Sequence, residues 1–173
     1  QMVHGEGSGA FSSGAVHIWH EPAQSWVSYH NQHVWPTWQA ANPGGEAFQS
    51  GRGYMVAYDF ADVQKSNPVK TFEGTLVAGQ VILPLYHGAS PSDPFAGYNL
   101  LGNPYPSSLD WKAAEGWQGR EHLEQDASMQ GYTMWIWNQE AGQYGVQHSA
   151  SLTDYLHNGV SRYIAPMQGF WVK

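Results

Sequence analysis

The chain has 173 residues and no cysteine, so it is long enough for one domain, or two small repeats on one core, to fold unstapled, and disulfides, thiolate metal sites and cysteine catalysis are excluded. Seven scattered Lys and Arg against fourteen Asp and Glu leave a net charge of -7, which argues against a phosphate-binding surface and hence against nucleic acid. No apolar run approaches the roughly 18 residues of a membrane helix, so no membrane insertion is expected.

Charged residues make up 12% and aromatics 14%, with nine Trp and ten Tyr, the opposite of a disordered chain. Low charge with abundant Gly, Ser, Asn, Gln, Trp and Tyr leans towards exported β-proteins that meet sugars. No signal peptide is visible at Gln1, and the chain reads as starting inside a larger precursor. Residues 1–15 read as a flexible or incomplete lead-in. No helix follows the glycine run GEGSGA at Gly5–Ala10, so it does not read as a phosphate cradle.

Strand signals then follow one another. Val16–Trp19, Trp26–Tyr29, Gly53–Tyr58, Lys70–Val77, Gln80–Leu85, Tyr98–Leu101, Thr133–Trp137, Tyr144–Gln147 and Gly169–Val172 are rich in β-branched and aromatic residues, most of them bounded by Gly, Pro or Asn. Phe72–Leu85 reads as a hairpin with Gly79 in its turn. Helical signals are limited to Ser107–Gly116, with Ser107 or Ser108 as cap, and Arg120–Met129. The expected fold is all-β, a jelly-roll-like β-sandwich with one or two short helical turns.

An internal repeat organises these strands. His17–Tyr29 lies without gaps over Trp135–Gln147, placing Ile18 on Ile136, Trp19 on Trp137 and Trp26 on Tyr144. Further on, Gly53, Tyr54 and Val56 match Gly169, Phe170 and Val172. The chain thus divides into halves, 16–96 and 97–173, expected to pack as a pseudo-symmetric pair. The loops that differ between the halves, 31–48 and 149–163, are where function is expected.

The phrase YNLLGNPYPSSLDW (Tyr98–Trp111), with IWNQEAGQY and the terminal RYIAPMQGFWVK, resembles a repeat domain of large secreted and surface proteins of Bacteroidota, found near type IX secretion sorting domains. The segments IWHEPAQSW and FQSGRGYMVAY fit the same pattern, so the resemblance covers most of 16–173. It implies export to the cell surface or beyond, a β-rich fold and a non-catalytic accessory role within a larger parent protein. It supplies no catalytic residues. The chain departs from the family pattern in its many histidines, in the Trp-rich stretch 33–38, and in the lack of a clear opening strand before the first unit.

The sharpest binding candidate is the loop His33–Trp38. A flat indole can stack on the apolar C–H face of a sugar while polar neighbours bind its hydroxyls. Trp35 and Trp38, three apart around Pro36, form a possible platform; His33, Gln39 and Asn42 can supply hydrogen bonds and Tyr29 can extend the surface. The competing reading has these rings plugging the space between sheets. Trp19, Trp26, Trp137 and Tyr144 recur at equivalent positions, which favours the core. Trp111 reads as packing, Trp117 as a further ligand candidate, and GNPYPSSLDW as a structural corner in which Asp110 bonds neighbouring backbone N–H groups.

Metal chemistry has little support. His17 and His20, three apart on a strand, point to opposite faces. His30 and His33 can converge in a turn, but nothing in the spacing selects a third ligand among His4, His87 and Glu46. Calcium is a structural possibility without an EF-hand or RTX pattern. There is no GxSxG, and Glu21, Glu46, Asp59, Asp110 and Glu140 show no catalytic pairing. The reading is therefore a non-catalytic carbohydrate-binding module without a cofactor, its partners a polysaccharide or glycan and the other domains of its parent. The alternative is a structural or protein-interaction module, adhesin-like or a spacer.

Overall fold

The computed structural model describes residues 16–45, 48–56, 74–88, 93–126, 131–150 and 158–173. Among them the chain is mostly antiparallel strands with few helical turns, so the fold is all-β. Strands β1 (Val16–His20) and β2 (Ser25–Ser28) form a hairpin closed by a single 3-10 turn over Glu21–Ala23. Pro22 suits the start of that turn, and Gln24 ends it in the left-handed region. Strand β3 (Met55–Val56) pairs with the other edge of β1. In the second half β7 (Gly131–Asn138) and β8 (Gln143–His148) form the hairpin. Strand β10 (Gly169–Val172) pairs with β7 and, on its far side, with β4 (Asn99–Gly102). The short strands β5 (Leu109–Asp110) and β9 (Tyr163–Ile164) pair with each other, and β6 (Gln125–Asp126) pairs with the start of β7.

Two sets of three strands show the same order and pairing positions. The first runs β2-β1-β3 and the second β8-β7-β10. Trp19 faces Trp26 across the first hairpin, and Trp137 faces Tyr144 across the second. His17 pairs with Met55 where Trp135 pairs with Trp171. These are the positions that overlie one another in the sequence.

One segment serves both sheets. Gly53 N–H donates to Leu100 O, Gly102 N–H donates to Gly51 O, and Arg52 bridges Leu101; two residues later Met55 is paired with β1. The approach is close enough to require glycine. A Cβ at Gly53 would lie 2.6 Å from Leu101 O and nearer still to the Leu100 side chain.

Strand alternation sorts the apolar residues onto two buried clusters. Val16, Ile18 and Val27 pack with Trp38 and Ala41 in the first half. Trp111, Met134, Ile136, Val160, Ile164, Phe170 and Val172 form the second. Trp111 donates its indole N–H to Tyr132 O, which satisfies the one polar atom of a fully buried ring.

Several local expectations are corrected. The hairpin over 72–85 does not form: residues 74–88 contain no strand, and 70–73 lie outside the described residues. Over 84–88, side chains rather than a strand partner hold the backbone. The Asn99 amide takes both backbone groups of Tyr86, Glu21 takes the Gly88 N–H, and Pro84 has none to give. Ser107–Gly116 is not helical, because Asp110 enters β5 and its carboxylate accepts from Lys112 N at 2.9 Å, closing a turn instead. Arg120–Met129 holds only a 3-10 turn, Arg120–His122, and then β6; residues 127–130 are outside the described set. A one-turn helix, α1 (Trp38–Ala41), stands where none was expected, capped by Thr37, whose hydroxyl accepts from Ala40 N.

The GNPYPSSLDW phrase builds a corner, as read. Asn103 is buried, and its amide nitrogen donates to the carbonyls of Ser107, Ile164 and Ala165 while its oxygen accepts from Tyr105 N. Asp110 pairs with Arg162 at 2.8 Å beside it.

Candidate functional site

The recurring aromatics are not in either core. Period-2 alternation that turns Ile18, Val27, Met134, Ile136, Phe170 and Val172 inward turns Trp19, Trp26, Trp135, Trp137 and Trp171 outward. These outward rings meet where the sheets adjoin. Trp19, Trp26 and Trp171 form a mutual edge-to-face triangle with centroids 5.6 to 5.8 Å apart. Tyr98 continues the array to Trp171 at 6.5 Å and to Trp135 at 5.3 Å. Trp137 and Tyr144 pack edge-to-face at 5.1 Å, and the Tyr144 hydroxyl accepts from Trp171 Nε1. The array therefore crosses from β2 to β8. Its ends are open: Trp26 is 38%, Tyr144 44% and Trp137 48% exposed. Edge-to-face contact fixes each ring by its neighbours, so the surface is ordered before any ligand arrives.

The expectation that recurrence marks core positions is thus overturned for Trp19, Trp26, Trp137 and Tyr144. Recurrence records a shared strand register, and the register places these residues on the outer face. Trp135, Trp171 and Tyr98 were not singled out from the sequence. The available signal was an aromatic alternating with buried aliphatics in MWIW and FWV.

The loop before α1 separates the two rings proposed as a platform. Trp35 is 68% exposed, whereas Trp38 is 1% exposed and donates its indole N–H to Gly45 O. Trp38 is held edge-to-face by Tyr29 and belongs to the first core, so it presents no face to solvent. Asn42 is buried too, donating to Gly45 O and accepting from the Tyr54 hydroxyl. Burial pushes that hydroxyl's pKa up to about 12. Of the seven candidates named from the sequence, His33, Trp35 and Gln39 lie on the surface, and Trp117 packs on Trp111 with its N–H on Asp110 O. The loop tip is rigidly built. Asn31 donates to Val34 O and Pro36 O and accepts from Val34 N, leaving Val34 and Trp35 outward.

Beside His20 lies a small cleft of about 90 Å³, lined in part by Trp19, His20, Glu21, Arg52, Tyr86 and Leu100. The Trp35 ring stands edge-to-face on His20 at 5.7 Å. Burial, and then the Arg52 guanidinium, hold the His20 imidazole below the ordinary histidine range; Glu21 opposes them. Glu21 is 2% exposed, and one carboxylate oxygen accepts from the amides of Gly88 and Gly97, both at 2.7 Å. Among the described residues, no group of three or more His, Asp or Glu side chains is placed to hold a metal ion; His4 and Glu46 lie outside them. No helix among them is long and apolar enough to cross a membrane.

Comparison of the chain with protein-family models, with curated proteins and with solved structures gave no match.

Proposed function

We propose that this chain is a non-catalytic carbohydrate-binding accessory module of a secreted or cell-surface protein, built from two pseudo-symmetric halves of a sandwich-like β fold. The observation that carries the reading is the ordered aromatic array on the outer face, from Trp26 through Trp171 to Trp137 and Tyr144. Exposed aromatic surface of this extent on a folded chain is normally an interaction surface. Its open rings offer π-faces to pyranose C–H groups, and Gln139, bonded to the Trp137 indole, stands at its edge to meet hydroxyls. No Lys, Arg, Asp or Glu is one of its rings' cross-strand partners, and the Lys173 ammonium over the Tyr98 ring is paired with Glu124, which suits an uncharged polymer better than a charged one at this face. The resemblance to repeat domains of Bacteroidota surface proteins supports export and an accessory role. Affinity at one site is modest, and attachment to a parent protein raises it through effective concentration.

The test is a panel of soluble plant and algal polysaccharides in affinity electrophoresis, with pull-downs on insoluble cellulose, xylan and chitin. Retardation by at least one polymer, lost in Trp137→Ala/Tyr144→Ala at unchanged melting temperature, is the expected result. No retardation across the panel contradicts it.

A protein-interaction module is the second reading. The observation favouring it is the Val34–Trp35 tip, an apolar anchor of low conformational cost held out by Asn31. A Trp35→Ala variant that binds glycans normally but loses association with neighbouring domains of the parent supports it.

A further inference from the structure

The rings of the outer array turn steeply against one another. Within the triangle the interplanar angles are 68° for Trp19 and Trp26, 79° for Trp19 and Trp171, and 81° for Trp26 and Trp171. Tyr98 lies at 81° to Trp171 and 59° to Trp135, and Trp137 lies at 74° to Tyr144. None of these ring contacts is close to parallel, so no touching pair forms a shelf in one plane. A flat, rigid surface such as the face of a crystalline polymer needs such a shelf, because it cannot bend to reach rings that face different ways.

A second observation concerns donors. The indole N–H groups of Trp19, Trp137 and Trp171 are spent within the protein, on Tyr98 O at 2.8 Å, Gln139 Oε1 at 3.0 Å and Tyr144 Oη at 3.2 Å. These three rings have π-faces and C–H edges left to offer, and no donor. A sugar hydroxyl turned onto such a face loses water and gains no hydrogen bond there. A C–H in the same place loses nothing and gains apolar contact. The face therefore favours sugars whose axial positions carry hydrogen.

We infer that the outer face takes a single, uncrystallised chain of β-linked pyranoses with all hydroxyls equatorial, a glucan or a xylan. In such a chain the bridging oxygen is equatorial too, so both faces of every ring are C–H surfaces. A lone chain turns about its own axis and brings those surfaces to rings set at steep angles. Mannose carries an axial hydroxyl at carbon 2 and galactose one at carbon 4, and each spoils one face. The inference rests on the carbohydrate reading and narrows it to a sugar configuration and a physical state of the polymer.

The test is calorimetry of the intact chain with cellohexaose, xylohexaose and mannohexaose, together with depletion from solution by amorphous and by crystalline cellulose. Expected is saturable binding of cellohexaose or xylohexaose, with mannohexaose roughly tenfold weaker, the cost of one desolvated hydroxyl without a partner. Amorphous cellulose or soluble xylan retains the protein and crystalline cellulose does not. Trp137→Ala/Tyr144→Ala, at unchanged melting temperature, loses the preference over mannohexaose. Mannohexaose bound as tightly by the wild type, crystalline cellulose retaining it as well as amorphous cellulose, a preference that survives in the variant, or binding confined to other polymers overturns the inference and leaves the carbohydrate reading standing. Binding of no oligosaccharide, together with an empty polysaccharide panel, overturns both.

Discussion

The two hairpins of this chain are the same frame carrying different cargo. In each, an aromatic pair faces across the strands at the same register, Trp19 with Trp26 and Trp137 with Tyr144. The first pair is partly closed over by Trp171 from the other half, while the second stays open at the rim. One register step along, His17 and Met55 stand where Trp135 and Trp171 stand. Backbone pairing is indifferent to these exchanges, because the outward positions do not enter either core. The shared pairing positions therefore constrain the ladder and the inward aliphatics, and leave the outward face free to differ between the hairpins.

The contrast breaks first at the tryptophans of the 31–42 loop. Trp38→Ala empties a fully buried site and is expected to cost about 3–5 kcal/mol. Trp35→Ala, close by in sequence but in solvent, is expected to stay within about 0.5 kcal/mol; urea denaturation of both compares them. Next come the paired glycines. Gly53→Ala drives a methyl into the Leu101 carbonyl and is expected to cost about 1–3 kcal/mol or to shift the inter-sheet joint. At the equivalent Gly169 the nearest atom to a new Cβ is 3.7 Å away, so Gly169→Ala is expected to be nearly neutral in the same assay. Thr37→Ala removes the cap of α1 and costs about 1 kcal/mol, lowering the melting temperature by a few degrees.

The smallest effect is on pH dependence. The His20 imidazole titrates below its ordinary value of 6.5 in the folded chain, through burial and Arg52, against the opposing pull of Glu21. The unfolded chain therefore binds this proton first as pH falls. The stabilisation is present above about pH 6.5 and is lost as pH drops through the folded value. Melting temperatures from neutral to mildly acid pH are expected to fall less steeply for His20→Gln than for the wild type.

Much of the strand layout was legible because it rests on local patterns: the β1, β2, β4, β7, β8 and β10 positions all lie within or beside stretches rich in β-branched and aromatic residues. The 72–85 segment was not. Its composition is strand-like, but the described part, 74–85, lies in no strand, and the side-chain bonds from Asn99 and Glu21 hold the chain just beyond it, at Tyr86 and Gly88. The helix expected over 107–116 failed because Asp110 bonds its own neighbours. On the candidate site, Trp35 was legible as a surface aromatic, but spacing in a loop cannot tell which of two indoles turns inward. The outer array and the Arg52 cleft are products of tertiary packing between halves, and no local window contains them.

The most direct measurement is the indole N–H spectrum of the nine tryptophans during titration with whichever polysaccharide the panel selects. Bound at the outer face, the ligand shifts the Trp137 and Trp171 resonances, whose N–H groups lie on Gln139 and Tyr144, and leaves those of Trp38 and Trp111, bonded to Gly45 and Tyr132 in the cores, unmoved. Saturable binding that leaves Trp137 and Trp171 unmoved contradicts the account.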